Sequence, residues 1–248
     1  MKNNVIGLSS LLLGIILLFV ILPYFGNSIF SSLKDICSIP THELEKIREG
    51  MAYTFYRFIV SILIGYIVGI ILSIPCLLSG KLEAVLTPWY TVVRITPTIV
   101  WIPLLFNLPN EVLQRETIPI ILGVLFSSLY VSMHIIKVLK NIPDEEKIAM
   151  KTMNVNFQWK WNNCYFPRIL VSSVSSLKIG GSIAFILVIV GESLVSVEKS
   201  LGFLLTSYQT VMLIAKPQFW LTTIIISFLA IIIFSMCNLL NKLTRTNE

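Results

Sequence analysis

Apolar residues along this chain fall in long blocks separated by short polar stretches. The blocks at about 5–24, 51–78, 88–108, 118–139, 169–194 and 217–240 each predict a helix that crosses a bilayer. A helix rises about 1.5 Å per residue and the hydrocarbon core is about 30 Å thick, so each block is long enough to span. The first block lacks a small-residue cleavage site and is followed by further spans, so it is expected to be retained rather than removed as a signal peptide. The fold class expected is an all-α membrane protein with about six transmembrane helices. Segment 1–50 would hold the first helix and an external stretch. Segment 51–248 would form the transmembrane core, with the polar stretch 140–168 outside the membrane.

Details of the blocks refine this picture. In 25–50, Thr41 before Glu43, Glu45, Lys46 and Arg48 predicts the N-cap of a short surface helix. A short polar loop, 79–87, is expected before the third span. Ser61, Gly65, Gly69 and Ser73 recur every four residues in the second block, as do Ser172, Ser176, Gly180 and Ala184 in the fifth. Such small-residue stripes let another helix backbone approach closely. The third block holds Arg94, Pro97 and Pro103, and each proline removes a donor and crowds the preceding turn, so kinks or a break are expected there. The freed carbonyls need partners, which places this segment toward the bundle interior or a cavity. Residues 195–216 are only moderately apolar and predict a partly re-entrant loop.

Composition excludes several function classes. Only 13% of the 248 residues are charged and 55% are hydrophobic, where a soluble domain carries roughly 25% charged residues. The net charge of +6 does not point to nucleic acid, because Lys and Arg sit in short loops between apolar blocks. With the N-terminus inside, the internal loops collect more of them (Lys137, Lys140, Lys147 and Lys151 among others) than the external ones. That bias favours both termini on the cytoplasmic side. Cys37, Cys76, Cys164 and Cys237 form no CxxC pair, His42 and His134 are isolated, and no P-loop or HExxH sequence occurs. An intramembrane enzyme would need a reactive cluster, and ATP would have to be bound by another chain.

Four charges fall inside spans or near their ends. Arg57, Arg94 and Lys178 lie within blocks; Arg94 sits about seven residues into its span, some 10 Å deep. It either lines a pathway or snorkels to the interface or to a carbonyl at the proline kink. Glu192 lies near the external end of the fifth span, where water contact explains it or where it braces an external gate. Lys178 is about 21 Å from Glu192 along one helix, so the two cannot pair, and Lys178 is expected to snorkel inward.

The stretch 143–154 carries the clearest mechanical signal. Pro143 suits a first helical turn, and Asp144, Glu145 and Glu146 place negative charge at the positive end of the helix dipole. Asn154 tolerates the left-handed conformation that ends helices. Ile148, Ala149, Met150 and Met153 cluster on one face, and Phe157, Trp159 and Trp161 follow. A charged helix with an exposed apolar face suits docking of a soluble partner, although the two tryptophans also fit an interfacial aromatic belt.

At these residues the chain resembles the permeases of binding-protein-dependent ABC importers, in particular the nitrate/sulfonate/taurine branch. The family's cytoplasmic signature, E-A-A-x-x-x-G, nine residues, then I-x-L-P, falls on Ile148, Ala149, Met150, Asn154, Cys164, Phe166 and Pro167. Ala149 and Pro167 are identical; the Glu and Gly positions hold Ile148 and Asn154. Arg94-Ile95-Thr96-Pro97 with Pro103 resembles the branch's R-x-x-P…P run, Gly191-Glu192 its A-E stretch, and Leu201-Gly202 its later G-L-G. The likeness covers about 51–240.

The resemblance implies a type I ABC importer permease fold in a bacterial or archaeal inner membrane. It implies a second permease subunit, taken as another copy of this chain, cytoplasmic ATP-binding subunits, and an external substrate-binding protein. Coupling to the ATPase would use Ile148, Ala149, Met150, Met153, Asn154, Phe157 and Pro167. A translocation pathway or gate would use Arg94, Pro97, Pro103, Glu192 and Gly202. No cofactor is expected in this chain, with ATP and Mg held by the partner ATPase. The alternative is a secondary transporter driven by an ion gradient. That would call for paired membrane carboxylates or inverted repeats with broken helices, and the chain offers one broken-looking span and one candidate carboxylate.

Overall fold

The computed structural model describes residues 35–78, 80–107, 114–211 and 214–245. The expected first span at 5–24 lies outside them. The described residues are helical: α1 (Thr41–Leu78), α2 (Gly80–Ile95), α3 (Thr98–Phe106), α4 (Ile118–Lys140), α5 (Asp144–Thr152), α6 (Phe157–Lys160), α7 (Phe166–Val195), α8 (Leu201–Thr210) and α9 (Lys216–Arg245). Short 3-10 turns lie at Asp35–Ser38 and Arg115–Thr117, and one π-helical turn at Trp161–Tyr165 joins α6 to α7. Among the described residues, four helices, α1, α4, α7 and α9, are long and apolar enough to cross a membrane, and the bent pair α2–α3 allows a fifth crossing.

α4 is the centre of the bundle, packed between α1 and α7. In its most apolar window 61% of residues are buried, against 11% for α9, which therefore lies at the periphery. The small-residue stripes account for this closeness. A Cβ added at Gly69 would come within 2.7 Å of the Ser128 carbonyl and of Val131, and one at Gly180 within 2.9 Å of Val131. Gly123 on α4 is equally tight against Ser61 of α1. Both stripes are thus the contact seams by which α1 and α7 pack on α4.

Three expectations need correction. The surface helix from Thr41 and the span from residue 51 are one continuous helix, α1. Gly50 at their junction lets α1 pack against the start of α8, where an added Cβ would meet the Ser200 carbonyl carbon at 3.2 Å and Leu201 N at 3.3 Å. The loop expected at 79–87 is helical from Gly80 onward, so Pro88 lies inside α2 rather than at a span's start. The segment 195–216 contains α8, whose start is capped by Ser200, its Oγ accepting from Phe203 N. The break in the third span appears as expected: α2 and α3 meet at 93°. Pro97 adopts an extended conformation (φ −55°, ψ 134°) between them, as a residue that cannot donate a helical N–H does when it begins a new helix.

Candidate functional site

Two groups of charged and polar residues lie at opposite ends of α7. One end carries α5. Pro143 precedes the helix, and Asp144, Glu145 and Glu146 occupy its first turn. Met153 N donates to the Ala149 carbonyl at 2.9 Å, and Asn154 N to the Lys151 carbonyl at 3.1 Å. Asn154 then takes the left-handed conformation, φ 46°, and stops the helix where the sequence placed its end. The Arg168 Nη2 donates to both carboxylate oxygens of Glu146, at 2.7 and 2.6 Å, which pins α5 to the start of α7.

The apolar face of α5 is left uncovered. Ile148 is 62% exposed and Met153 71%. Ala149, Met150 and Met153 line a groove of about 340 Å³ together with Trp159, Cys164 and Pro167. The two tryptophans divide: Trp159 is exposed on the groove, whereas Trp161 packs with Val131, Ile135, Leu139 and Ile169 in the bundle core. Phe157 begins α6, after Asn156, whose Oδ1 accepts from Trp159 N; the Phe157 side chain lies outside what is described.

At the other end, Glu192 matches only one of its two expected readings, because water contact does not explain it. It is fully buried rather than in contact with water. Its Oε2 accepts from Thr54 Oγ1 at 2.8 Å and from Gly202 N at 3.3 Å, and its Oε1 accepts from Arg57 Nη1 at 3.1 Å. Arg57 is itself buried, with Tyr53 beneath its guanidinium. Leu201 N donates to Thr54 Oγ1. Gly202 lies hard against α7: a Cβ there would lie 2.4 Å from the Ile189 carbonyl oxygen. Sequence reasoning singled out Glu192 and Gly202 but missed Thr54 and Arg57. The available signal was a threonine and an arginine three residues apart, on one helix face of an otherwise apolar block.

Arg94, Pro97 and Pro103 belong to the broken span, apart from this network. Arg94 occupies the last turn of α2 at the bend, exposed, with its guanidinium 5.7 Å from the Tyr130 ring centroid. It sits at a helix end and on an aromatic face, not midway along a continuous span. Pro103 lies within α3. Lys178 places its ammonium 4.5 Å from the centre of the Phe234 ring of α9, a cation–π contact. Among the described residues no cluster of three His, Cys, Asp or Glu side chains could hold a metal.

Two solved structures share this architecture. One is an amino acid ABC transporter solved with histidines, 14% identical, with a TM-score of 0.69, covering 82% of this chain and 95% of that one. The other is the MetNI methionine ABC transporter in an inward-facing conformation, 15% identical, with a TM-score of 0.56, covering 79% of this chain and 95% of that one. At such identities the likeness establishes the fold alone. No curated protein sequence matches the chain. The family model described as "Binding-protein-dependent transport system inner membrane component" matches residues 61–246. With three quarters of its length inside that match, the chain belongs to this family, and it is the permease component of an ABC importer.

Proposed function

We propose that this permease passes a small solute across a bacterial or archaeal inner membrane and takes its driving force through residues 140–168. ATP and Mg would bind in separate cytoplasmic subunits docked on that segment, a substrate-binding protein would deliver solute at the opposite face, and a second copy of the chain would complete the pathway. The end carrying α5 would then be cytoplasmic, as would both termini. The nitrate/sulfonate/taurine-type branch remains the reading favoured by the Arg94–Pro97–Pro103 run and by Leu201-Gly202.

One observation carries the proposal. α5 is held to α7 by the Glu146–Arg168 pair while Ile148 and Met153 point away from the bundle and stay uncovered. An apolar face on a helix outside the spans has a cost in water that a docked protein removes. Coupling would run from Ile148, Ala149, Met150, Met153 and Asn154, through Pro167, into α7. The broken span with Arg94, Pro97 and Pro103 would line the pathway, since non-helical backbone at membrane depth is tolerated where it faces protein or a water-filled cavity. Glu192 and Gly202 would shape the mouth at the far end.

The test is co-purification of the ATP-binding subunits with the full chain after co-expression. I148E/M153E should cut their recovery at least about tenfold, equivalent to about 1.4 kcal/mol of binding, while the permease stays in the membrane at its normal level. Undiminished recovery would remove the docking assignment.

A further inference from the structure

α7 has an ion pair at each end. Near its start, Arg168 holds Glu146 of α5; near its end, Glu192 holds Arg57 of α1. About 36 Å of helix separates Arg168 from Glu192, and Pro167 is the last proline in it. The helix therefore has no proline between the segment assigned to coupling and the buried network at the opposite end.

That network ties three elements together. Glu192 comes from α7, Thr54 and Arg57 from α1, and the N–H groups of Leu201 and Gly202 from the start of α8. A second tie repeats the α1–α8 connection: Tyr208 Oη donates to Glu43 Oε2 at 2.6 Å. Ile47, Leu201, Leu204 and Tyr208 close the same junction with apolar contact. The broken span is held differently. α2 and α3 meet the bundle through apolar contact, Tyr90 with Cys76, Leu129 and Ile136 and Ile102 with Ile118, Leu122 and Leu187, and through Tyr90 Oη donating to the Leu72 carbonyl, a Lys140–Glu83 pair and the Arg94–Tyr130 contact. Among the described residues, no buried ion pair joins α2 or α3 to the rest.

We infer that the Arg57–Glu192 pair is a transmission joint. It locks α1, α7 and α8 into one lever that swings as a unit during the transport cycle, against the α2–α3 span, which apolar contact holds without a buried ion pair. A carboxylate away from water, stripped of its donors, is left uncompensated, so this joint stays closed while the sparser contacts of α2–α3 yield. Small displacements at one end of a rigid element then reappear at the other, as in hinge and shear transitions between packed units. Thr54, Arg57 and Glu192 are positioning residues: buried from water, they set where α8 sits. The inference rests on the coupling role proposed for 140–168, because that is where force must enter.

Spin-label distances in the full chain, assembled with its ATP-binding subunits in nanodiscs, test it. Unlabelled chain is kept in excess so that each assembly carries one labelled copy. One label pair replaces Glu45 and Glu198, which are exposed on α1 and just before α8; the other replaces Ile99 on α3 and Glu198. Between the nucleotide-free and ATP–vanadate states, the 45–198 distance should hold within about 2 Å, while the 99–198 distance shifts by roughly 5 Å or more. In R57M/E192M the 45–198 distance should become nucleotide-dependent, and in E192D, which keeps the charge, it should stay fixed. Movement of both pairs in the otherwise unaltered chain, or an unchanged 45–198 distance in R57M/E192M, overturns the joint alone. A 99–198 distance that ignores nucleotide overturns the coupling reading and the joint with it.

Discussion

Glu146 and Arg168 stand 22 residues apart in sequence, yet one guanidinium nitrogen of Arg168 serves both carboxylate oxygens of Glu146. The chain between them makes a helix, a left-handed stop at Asn154 and a π-helical turn before returning to α7. A partner docked on α5, as proposed, would therefore act on the base of a membrane-crossing helix rather than on a loose loop.

Because Glu146 is half exposed and Arg168 about a third, the pair contributes on the order of 1 kcal/mol, with solvent screening included. A double-mutant cycle with E146Q and R168M should return a coupling energy of that size in thermal unfolding of the purified chain. The larger effect should be local. Either single variant should make residues 141–156 more sensitive to protease in membrane vesicles, and the exchange E146R/R168E should restore protection.

Breaking the buried pair at the other end should cost far more. E192L leaves the Arg57 charge without a carboxylate in an apolar surround, a loss of roughly 3–5 kcal/mol. R57M/E192M, which removes both charges and keeps apolar volume, should recover most of that stability. Melting of the detergent-solubilised variants compares them, and a double variant no more stable than E192L would refute the account of Glu192 as a paired charge.

Glycine positions separate packing from propensity. G69V should destabilise the α1–α4 contact by about 1–3 kcal/mol, because a side chain there meets the Ser128 backbone and Val131 with no room to shift. G202A should behave likewise, since the obstacle is the Ile189 carbonyl. G80A should be neutral or slightly stabilising, by up to about 1 kcal/mol, because nothing lies within 4 Å of its added Cβ. Equal effects at all three positions would contradict the packing assignment.

Asn154 holds a positive φ, so N154G should keep the turn and full association with the ATP-binding subunits. N154V places a β-branched side chain in the same conformation, a strain of about 1–3 kcal/mol. It should weaken association even though no partner need touch residue 154. Co-purification of the two variants side by side measures the contrast.

Hydrophobic block length alone located the spans near 51–78, 118–139, 169–194 and 217–240, because a bilayer demands about twenty apolar residues whatever their neighbours are. The bend at Pro97 and the end of α5 at Asn154 were equally legible. Both follow from backbone constraints carried by single residues: a missing N–H in one, tolerance of positive φ in the other. Asp144, Glu145 and Glu146 likewise announced a helix start through their own charge. The seam glycines were visible as a spacing, though which helix they face was not.

What only the tertiary structure decided was partnership. The sequence holds Arg57, Arg94 and Lys178 deep in apolar blocks with a single acid, Glu192, and local spacing assigns none of them to another. Arg57 meets Glu192 across 135 positions, while Arg94 and Lys178 settle on aromatic faces. Local chemistry is written in consecutive residues because backbone sterics and lipid solvation act over a few residues at a time. Pairing between distant charges depends on how helices rotate and close against one another, and that is a property of the packed bundle.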